Sequence, residues 1–250
     1  GPAAARNKGL KIANGDYIFF LDSDDFLNVN SIEKMFDNIK DAELLIAGYQ
    51  NLFSSNPNSQ KQSVLPLIEG VFSKKIFFEY FANFLNNNLF HYTWNKLYKS
   101  KILRQNNIYF DENLIVGEDI IFNMEYINNT SKIVILNESV LNHVWYNQNS
   151  ITKIFKKNML NTRLFIDSQL RNFLKVNHAY NPDNKLAIDK LLMKRIKSII
   201  YSIHIGNKNQ KEEIIDNLIN LVNYQWINDL IIQLKKEKVH NKLLAFLISK

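Results

Sequence analysis

Residues 17–25 read YIFFLDSDD, in which five apolar residues are followed at once by an acidic cluster. A continuous apolar run that ends in turn residues is typical of a strand buried on both faces, as in a parallel sheet. Ligands of open α/β sheets bind beyond the carboxyl ends of such strands. The stretch therefore predicts that Asp22, Asp24 and Asp25 lie together at the functional end of a buried strand.

Helical and extended patterns alternate on both sides of this stretch. A helix is predicted over about residues 3–13, and a second helix follows with Asn30 or Ser31 as its cap. Leu44–Ala47 is predicted to form a further strand. The alternation predicts a layered α/β domain of the βαβ type.

The rest of the chain is predicted to mix short elements and then to become helical from about Ile151. Apolar residues at helical spacing over residues 214–222 mark the last helix singled out in that region. Between Ala47 and Ile151 the sequence predicts a polar loop over 51–68, a Phe-rich helix over 73–85, a helix opened by Gly117-Glu118-Asp119, and strands over 132–136 and 139–146.

The composition of the 250 residues excludes several classes of protein. Because the chain has no Cys, disulfides and Cys-ligated zinc or iron–sulfur sites are ruled out. No apolar run reaches the 18 or more residues that span a bilayer, and no signal peptide is recognisable. We expect a cytoplasmic protein that is either free or attached peripherally to the inner face of the cell membrane.

The net charge of +7 is unevenly distributed along the chain. Residues 1–150 carry 13 Lys and Arg against 16 Asp and Glu, whereas residues 151–250 carry 18 against 8. One interpretation is that the basic part binds an anionic membrane surface, and the other is that Lys residues only solvate the outer faces of helices. No zinc finger, RNP motif or Gly-rich phosphate loop indicates a nucleic-acid partner.

Two acidic motifs suggest chemistry. The carboxylates of Asp22, Asp24 and Asp25 repel one another, and Mn²⁺ or Mg²⁺, ions that also bind diphosphates, would compensate them. The alternative is a capped and solvated turn before the next helix. Glu118 and Asp119 are either helix-capping carboxylates or a general base that takes a proton from a hydroxyl group. Because a helix N-terminus lowers the pKa of a carboxyl, we expect Asp119 to be an ionised but weak base.

Several short motifs follow one another along residues 1–152 in a characteristic order. They are Ala5-Arg6-Asn7 with Gly9, Ala13–Ile18, Phe20–Asp25, Trp94–Tyr98, Phe110–Asn113, Gly117–Phe122 and Asn149–Thr152. In this order they resemble the middle of family 2 glycosyltransferases with the GT-A fold.

The resemblance implies a role for each matching residue. Asp24 would bind the Mn²⁺ or Mg²⁺, Asp22 would contact the metal or the donor ribose, and Arg6 would lie near the donor diphosphate. Asp119 matches the usual catalytic base, with Glu118 beside it. Asp22-Ser23-Asp24 matches the Asp-x-Asp motif of the family. The other donor-site residues that the resemblance implies are Asp25, just beyond this motif, and Asn95 and Lys96, which would line the sugar or acceptor pocket.

Some of these residues have structural alternatives. Arg6 would then pair with a nearby acidic residue, and Lys96 would be a solvated surface charge. Trp94 and Tyr98 are better interpreted as core residues than as stacking platforms. His143, where relatives often have Tyr, is either an additional metal or phosphate ligand or a structural residue.

The resemblance also bears on domain organisation. Family members normally begin with a strand ending in Pro and Asn, a helix and a second strand that reads the nucleobase, and none of these is found in this sequence. We therefore expect an N-terminally truncated GT-A catalytic portion over residues 1–150, followed by a basic all-α region over residues 151–250.

The implied function is metal-dependent, inverting transfer of a sugar from a nucleotide sugar, with a UDP-sugar as the first choice. The acceptor would be a hydroxyl group of a bacterial surface glycan or of a lipid-linked precursor. One alternative is a catalytically incomplete nucleotide-sugar-binding or scaffold protein, and another is a metal-dependent phosphotransferase or nuclease that uses the same carboxylates. The C-terminal helices would bind the membrane or form a homodimer.

Overall fold

Helices and strands alternate up to Trp145, and the described part of the chain beyond it is helical. A computed structural model describes residues 1–53, 61–114, 116–145 and 159–205. The elements in these ranges are α1 (Pro2–Ile12), β1 (Tyr17–Phe19), β2 (Phe26–Leu27), α2 (Ser31–Ile39), β3 (Leu44–Phe53), β4 (Gln62–Val64), β5 (Gly70–Ser73), α3 (Lys74–Glu79), α4 (Phe81–Asn86), β6 (Lys96–Lys99), α5 (Ser100–Gln105), α6 (Glu118–Asn128), β7 (Lys132–Trp145), α7 (Met159–Val176) and α8 (Pro182–Ile205).

The sheet is built around a long parallel pair of strands. β3 and β7 run side by side from Leu44, opposite Ile133, to Phe53, opposite Trp145. β6 and β1 extend the sheet beyond β3, and β2 pairs with β7, which gives the order β1-β6-β3-β7-β2. β4 and β5 pair with β3 and β7 off this path, and these additional pairings are antiparallel. The predicted α/β fold is confirmed, with a mixed sheet.

The strand before the acidic cluster differs from its prediction. β1 comprises only Tyr17–Phe19, its residues are half-buried, and it pairs antiparallel with β6. Among the described strands it ends the order of the sheet, so its side chains have fewer neighbours than a central strand provides. The ring of Tyr17 contacts that of Phe36 on α2 edge-on, at 5.9 Å between centroids. The apolar run was therefore a correct signal for a strand and a wrong one for complete burial.

Three other predicted boundaries are wrong. The polar loop predicted over 51–68 contains the end of β3 and the short strand β4. The segments predicted as separate strands over 132–136 and 139–146 form the single strand β7. Register shifts on both sides of Gly48 let β3 and β7 stay paired past Asn137 and Glu138, the two residues between the predicted strands. The helix predicted over 73–85 is divided at Tyr80, whose main chain ends α3 and begins α4.

The described helices beyond β7 share the core of the sheet region. Phe173 of α7 contacts the rings of Phe78, Phe81 and Phe90, with centroids 5.3–6.1 Å apart. Asn184 of α8 donates hydrogen bonds to the carbonyl oxygens of Phe78 and of Ala179, which lies between α7 and α8. These contacts hold α7 and α8 against α3 and α4.

The helical prediction for the C-terminal part is confirmed over residues 159–205. The predicted helix around 214–222 and the predicted domain boundary at residue 150 lie outside the described residues, so the division into two regions stays a prediction. None of the helices that the structure describes combines the length and the hydropathy needed to cross a bilayer.

Candidate active site

Arg6 brings together three carboxylates from two distant parts of the chain. Its guanidinium lies 2.8 Å from Asp22 Oδ1, 2.8 Å from Asp119 Oδ1 and 3.4 Å from Glu118 Oε1. Asp22 follows β1, whereas Glu118 and Asp119 form the first turn of α6. The two acidic motifs singled out in the sequence therefore meet at one cation, which is the acidic pairing considered above as the alternative for Arg6.

Two contacts fix the position of Arg6. The side chain of the neighbouring Asn7 is buried, donates to the carbonyl oxygen of Phe110 at 2.9 Å and accepts from the Phe110 N–H at 2.8 Å. The Arg6 guanidinium lies over the Phe110 ring, 5.3 Å from its centroid, in a cation–π arrangement. The Arg6-Asn7 pair thus docks α1 on the segment that leads to α6.

Asp119 titrates far from the ordinary range of an aspartate. Burial is the largest cause and raises the pKa of its carboxyl to about 7, from an ordinary value of 3.8. The charge of Arg6 lowers this pKa, and the neighbouring Glu118 and Asp22 raise it. The expected lowering by the helix N-terminus is therefore wrong, because desolvation outweighs it. A carboxyl that titrates near neutral pH is well matched to taking up a proton.

Asp24 offers a free carboxylate next to this cluster. It is exposed, and it makes no hydrogen bond or ion pair with the residues that the structure describes. Asp22 contacts Arg6 through Oδ1 and is partly exposed. In the described ranges no three His, Cys, Asp or Glu side chains are arranged to hold a metal. Mg²⁺ sites commonly use one or two carboxylates together with substrate phosphates and water, so Asp22 and Asp24 fit an ion that is shared with a diphosphate.

Asp25 makes structural contacts, and its expected donor contact stays a prediction. Its side chain is fully buried, accepts a hydrogen bond from the Val144 N–H at 2.9 Å and lies 3.1 Å from Nδ1 of His143. These contacts tie the acidic loop to the last residues of β7. They also favour the structural interpretation of His143, because its Nδ1 is already paired.

Asn95 and Lys96 are likewise buried, where the resemblance implied that they line a pocket. Asn95 donates to the carbonyl oxygens of Ala47 and Leu89, at 2.9 and 3.1 Å. Lys96 donates to main-chain oxygens that include those of Leu89, at 2.7 Å, and Tyr92. Burial holds the pKa of Lys96 well below its usual range. The surface position considered for Lys96 is wrong, and both residues fix the loop before β6. Their role in the sugar or acceptor pocket stays a prediction.

An aromatic stack beside the site was not identified as a unit from the sequence. The rings of Tyr92 and Trp94 are parallel to within 15° with centroids 4.5 Å apart, and Trp94 stacks on His143 at 5.1 Å. Burial raises the pKa of Tyr92, and the charges of Asp119 and Asp25 raise it further, so both carboxylates lie within electrostatic range of Tyr92. Tyr92 and Trp94, two positions apart, were the available signal, although only the burial of Trp94 was anticipated.

Comparisons with known proteins indicate the family. Residues 1–106 match the family model described as Glycosyl transferase family 2. The chain is 27% identical over 157 residues to the uncharacterized glycosyltransferase EpsJ of Bacillus subtilis, a match that covers 62% of this chain and 44% of that protein. It is 29% identical over 143 residues to the poly(ribitol-phosphate) beta-N-acetylglucosaminyltransferase TarS of Staphylococcus aureus, covering 55% of this chain and 22% of TarS. The chain thus spans less than half the length of these relatives.

A solved structure of TarS supports the fold. The crystal structure of Staphylococcus aureus TarS 1–349 in complex with UDP-GlcNAc superposes with a TM-score of 0.63 at 17% identity. The superposition covers 100% of this chain and 68% of the TarS chain. The likeness establishes that the two chains share a fold.

Proposed function

We propose, from the premise that the chain belongs to glycosyltransferase family 2 through residues 1–106, that it transfers a sugar from a nucleotide sugar to an acceptor hydroxyl group. The observation that carries the proposal is the position of Arg6 between Asp22 and Asp119. Arg6 links Asp22, in the acidic loop that we assign to the donor, to Asp119, whose carboxyl has a pKa of about 7.

A UDP-sugar is the proposed donor. The proposal is supported by the TarS structures, which were determined in complex with UDP-GlcNAc and with UDP. The proposed acceptor is a hydroxyl group on a glycan or a lipid-linked precursor. A divalent cation, Mn²⁺ or Mg²⁺, would be held by Asp24 and Asp22 and would neutralise charge on the leaving diphosphate.

The protein side chains would act as follows. Asp119 accepts the proton of the acceptor hydroxyl as its oxygen attacks the anomeric carbon of the sugar, and the bond from that carbon to the diphosphate breaks. Attack from the side opposite the diphosphate inverts the anomeric configuration. Arg6 orients Asp119 and supplies positive charge beside the leaving diphosphate. Glu118, 3.4 Å from Arg6, helps to hold that guanidinium in place.

The proposal is tested with two substitutions that separate binding from chemistry. We expect Mn²⁺ and UDP together to raise the melting temperature of the protein, and Asp24→Asn to abolish this shift. Asp119→Asn is expected to keep the shift but to lower sugar transfer from a UDP-sugar panel by about 10²–10⁴-fold, the usual contribution of a general base. NMR of the product checks inversion at the anomeric carbon.

Asp37→Asn is the matched control, because Asp37 is an exposed carboxylate on α2. Transfer by Asp119→Asn at the rate of the unaltered protein would exclude Asp119 as the base. UDP binding without transfer to any acceptor would favour the nucleotide-sugar-binding or scaffold alternative. Cleavage of the donor without sugar transfer would favour a phosphotransferase or nuclease.

A further inference from the structure

The rings of Tyr92, Trp94 and His143 are stacked in two layers. Trp94 is buried, and its ring is nearly parallel to those of Tyr92 and His143, at 15° and 19°. If the two smaller rings lay on opposite faces of Trp94, their centroids would be separated by nearly the sum of their distances to Trp94. The observed separation is only 6.1 Å, so Tyr92 and His143 lie side by side on one face of Trp94 and form the outer layer.

This outer layer keeps contact with solvent and is bounded by Trp145. Tyr92 is half-buried, and 21% of the His143 side chain is exposed. Nδ1 of His143 lies 3.1 Å from both carboxylate oxygens of Asp25, which fixes the orientation of the ring. The ring of Trp145, which is 38% exposed, stands at 75° to that of His143, and its Nε1 donates to Asn51 Oδ1 at 2.9 Å. Tyr92 and His143 thus form the floor, and Trp145 the wall, of an aromatic platform.

The aromatic platform joins the two acidic motifs of the proposed active site. At one end, His143 contacts Asp25, the last residue of the acidic cluster. At the other end, the carbonyl oxygen of Tyr92 accepts a hydrogen bond from Asn123 Nδ2 at 3.2 Å. Asn123 lies about one helical turn after Asp119 on α6. The floor of the platform therefore extends from the acidic loop to the helix that carries the proposed base.

The position and the chemistry of the platform both indicate a sugar ring as its ligand. In a nucleotide sugar, the nucleobase and the sugar are attached at opposite ends of the diphosphate. A ring bound between the acidic loop that would hold the diphosphate and the helix of the base is therefore a sugar and not a nucleobase. A pyranose has C–H groups on its ring faces and hydroxyl groups around its edge. The C–H groups pack favourably on the negative face of an aromatic ring.

We propose that the aromatic platform binds a pyranose ring of the acceptor through a C–H face of that ring. The inference rests on the proposed function, because it takes Asp119 as the base and the acidic loop as the donor site. Tyr92 is bonded to the helix of the base, which acts on the acceptor hydroxyl. Trp145, the most exposed ring of the platform, would enclose the same sugar or the next one along the acceptor. The acceptor is then a glycan that presents a pyranose, and acyclic polyols are excluded.

The test measures the binding of simple glycosides to the whole chain in EDTA, so that it does not depend on the donor site. By saturation-transfer difference NMR, we expect transfer to the C–H protons on one ring face of at least one of methyl β-glucoside, methyl β-galactoside and methyl β-N-acetylglucosaminide. Sorbitol, an acyclic polyol, should show no transfer. Tyr92→Leu and Trp145→Ala should each weaken glycoside binding about three- to tenfold, the usual contribution of an aromatic contact. Tyr92→Phe, which keeps the ring, and Tyr109→Ala, at an exposed tyrosine outside the platform, should bind as the unaltered protein does.

Glycoside binding that is absent, equal in Trp145→Ala and the unaltered protein, or matched by sorbitol would overturn the proposal. Trp145→Ala, at an exposed position, keeps this test valid even if Tyr92→Leu does not fold. Displacement of the glycoside by UDP and Mn²⁺ would make the platform a nucleobase site. Displacement by a UDP-sugar but not by UDP would assign the platform to the donor sugar, and either displacement overturns the proposal.

The same measurements separate this inference from the proposed function. Glycoside binding by a protein that does not bind UDP with Mn²⁺ would contradict the proposed donor site and leave the aromatic platform standing. Mn²⁺-dependent UDP binding without glycoside binding would overturn the platform and leave the donor site standing.

Discussion

Arg6 and Asp119 depend on each other in this site. Without the cation, the buried carboxyl of Asp119 would have a pKa even higher than about 7, because Arg6 is the main influence that lowers it. Without the carboxylates, Arg6 would be a partly buried cation over the Phe110 ring. The protonation of Asp119 is therefore controlled by Arg6, which lies far from it in the sequence.

The rate of transfer should follow this protonation. Because Asp119 must be ionised to accept a proton, kcat/KM is expected to fall tenfold per pH unit below about pH 7. Arg6→Gln removes the influence that lowers the pKa, so the acid limb of the profile should move to higher pH, by about one unit, in addition to a loss of rate. A pH–rate profile of both proteins checks the shift.

Stability provides an independent measurement of the same group. A carboxyl whose pKa is raised on folding contributes most to the stability of the folded state at low pH, where it is protonated. This contribution is lost as pH rises through about 7. Unfolding by urea at pH 5 and pH 8 should show the loss in the unaltered protein and not in Asp119→Asn. An acid limb of the pH–rate profile near pH 4, together with a free energy of unfolding that does not change with pH, would contradict a raised pKa of Asp119.

The contact between α6 and α7 positions the base. Gly117 has φ +81°, and a Cβ there would lie 2.2 Å from Cδ1 of Ile166. The left-handed backbone favours Gly, and the end of the Ile166 side chain packs directly on it, so α7 contacts the residue from which α6 begins. The residues that carry the acidic motif of α6 are thus held by a helix almost 50 residues further along the chain.

Gly117→Ala should expose this dependence. We expect a loss of about 1–3 kcal/mol of stability from the strained backbone, and up to a hundredfold loss of kcat as Asp119 shifts. Gly9→Ala is the control, because a Cβ on Gly9, within α1, meets nothing within 4 Å. Adding Ile166→Ala should restore part of the stability by removing the clash. Normal activity of Gly117→Ala would show that α7 does not position the base.

Elements with a clear local signal could be predicted from the sequence. The helix after Asn30 and the helix opened by Glu118 were predicted correctly, because apolar spacing and capping residues mark them. The pairing of β3 with β7 could not be predicted, since it joins residues distant in the chain. The same holds for the burial of Lys96 and the contacts of Asp25, which depend on main-chain oxygens and donors that other elements supply.

The uneven charge concerns the molecule as a whole. The described helices beyond β7 carry exposed lysines, which include Lys175 on α7 and Lys190 and Lys194 on α8. Attraction to an anionic membrane is the use we propose for this basic region, and a homodimer through its helices is the alternative.

Vesicle sedimentation tests the membrane proposal. We expect binding to vesicles rich in phosphatidylserine, little binding to phosphatidylcholine vesicles, and release as salt is raised. Replacing Lys175, Lys190 and Lys194 by Gln should weaken binding about a hundredfold, at about 1 kcal/mol for each charge. The same replacement at exposed lysines of the acidic part, Lys8, Lys11 and Lys101, is the control. Binding that ignores salt, or no binding at all, would contradict the proposal.

The long parallel pair also determines how the chain can be made. Roughly 80 residues separate the end of β3 at Phe53 from the start of β7 at Lys132, which takes a ribosome on the order of 4–16 s to translate. During that interval the apolar first half of β3 has no β7 to pair with. The nascent chain is therefore more prone to aggregation than the finished protein, and the yield of native molecules depends on the chaperones that meet it during synthesis.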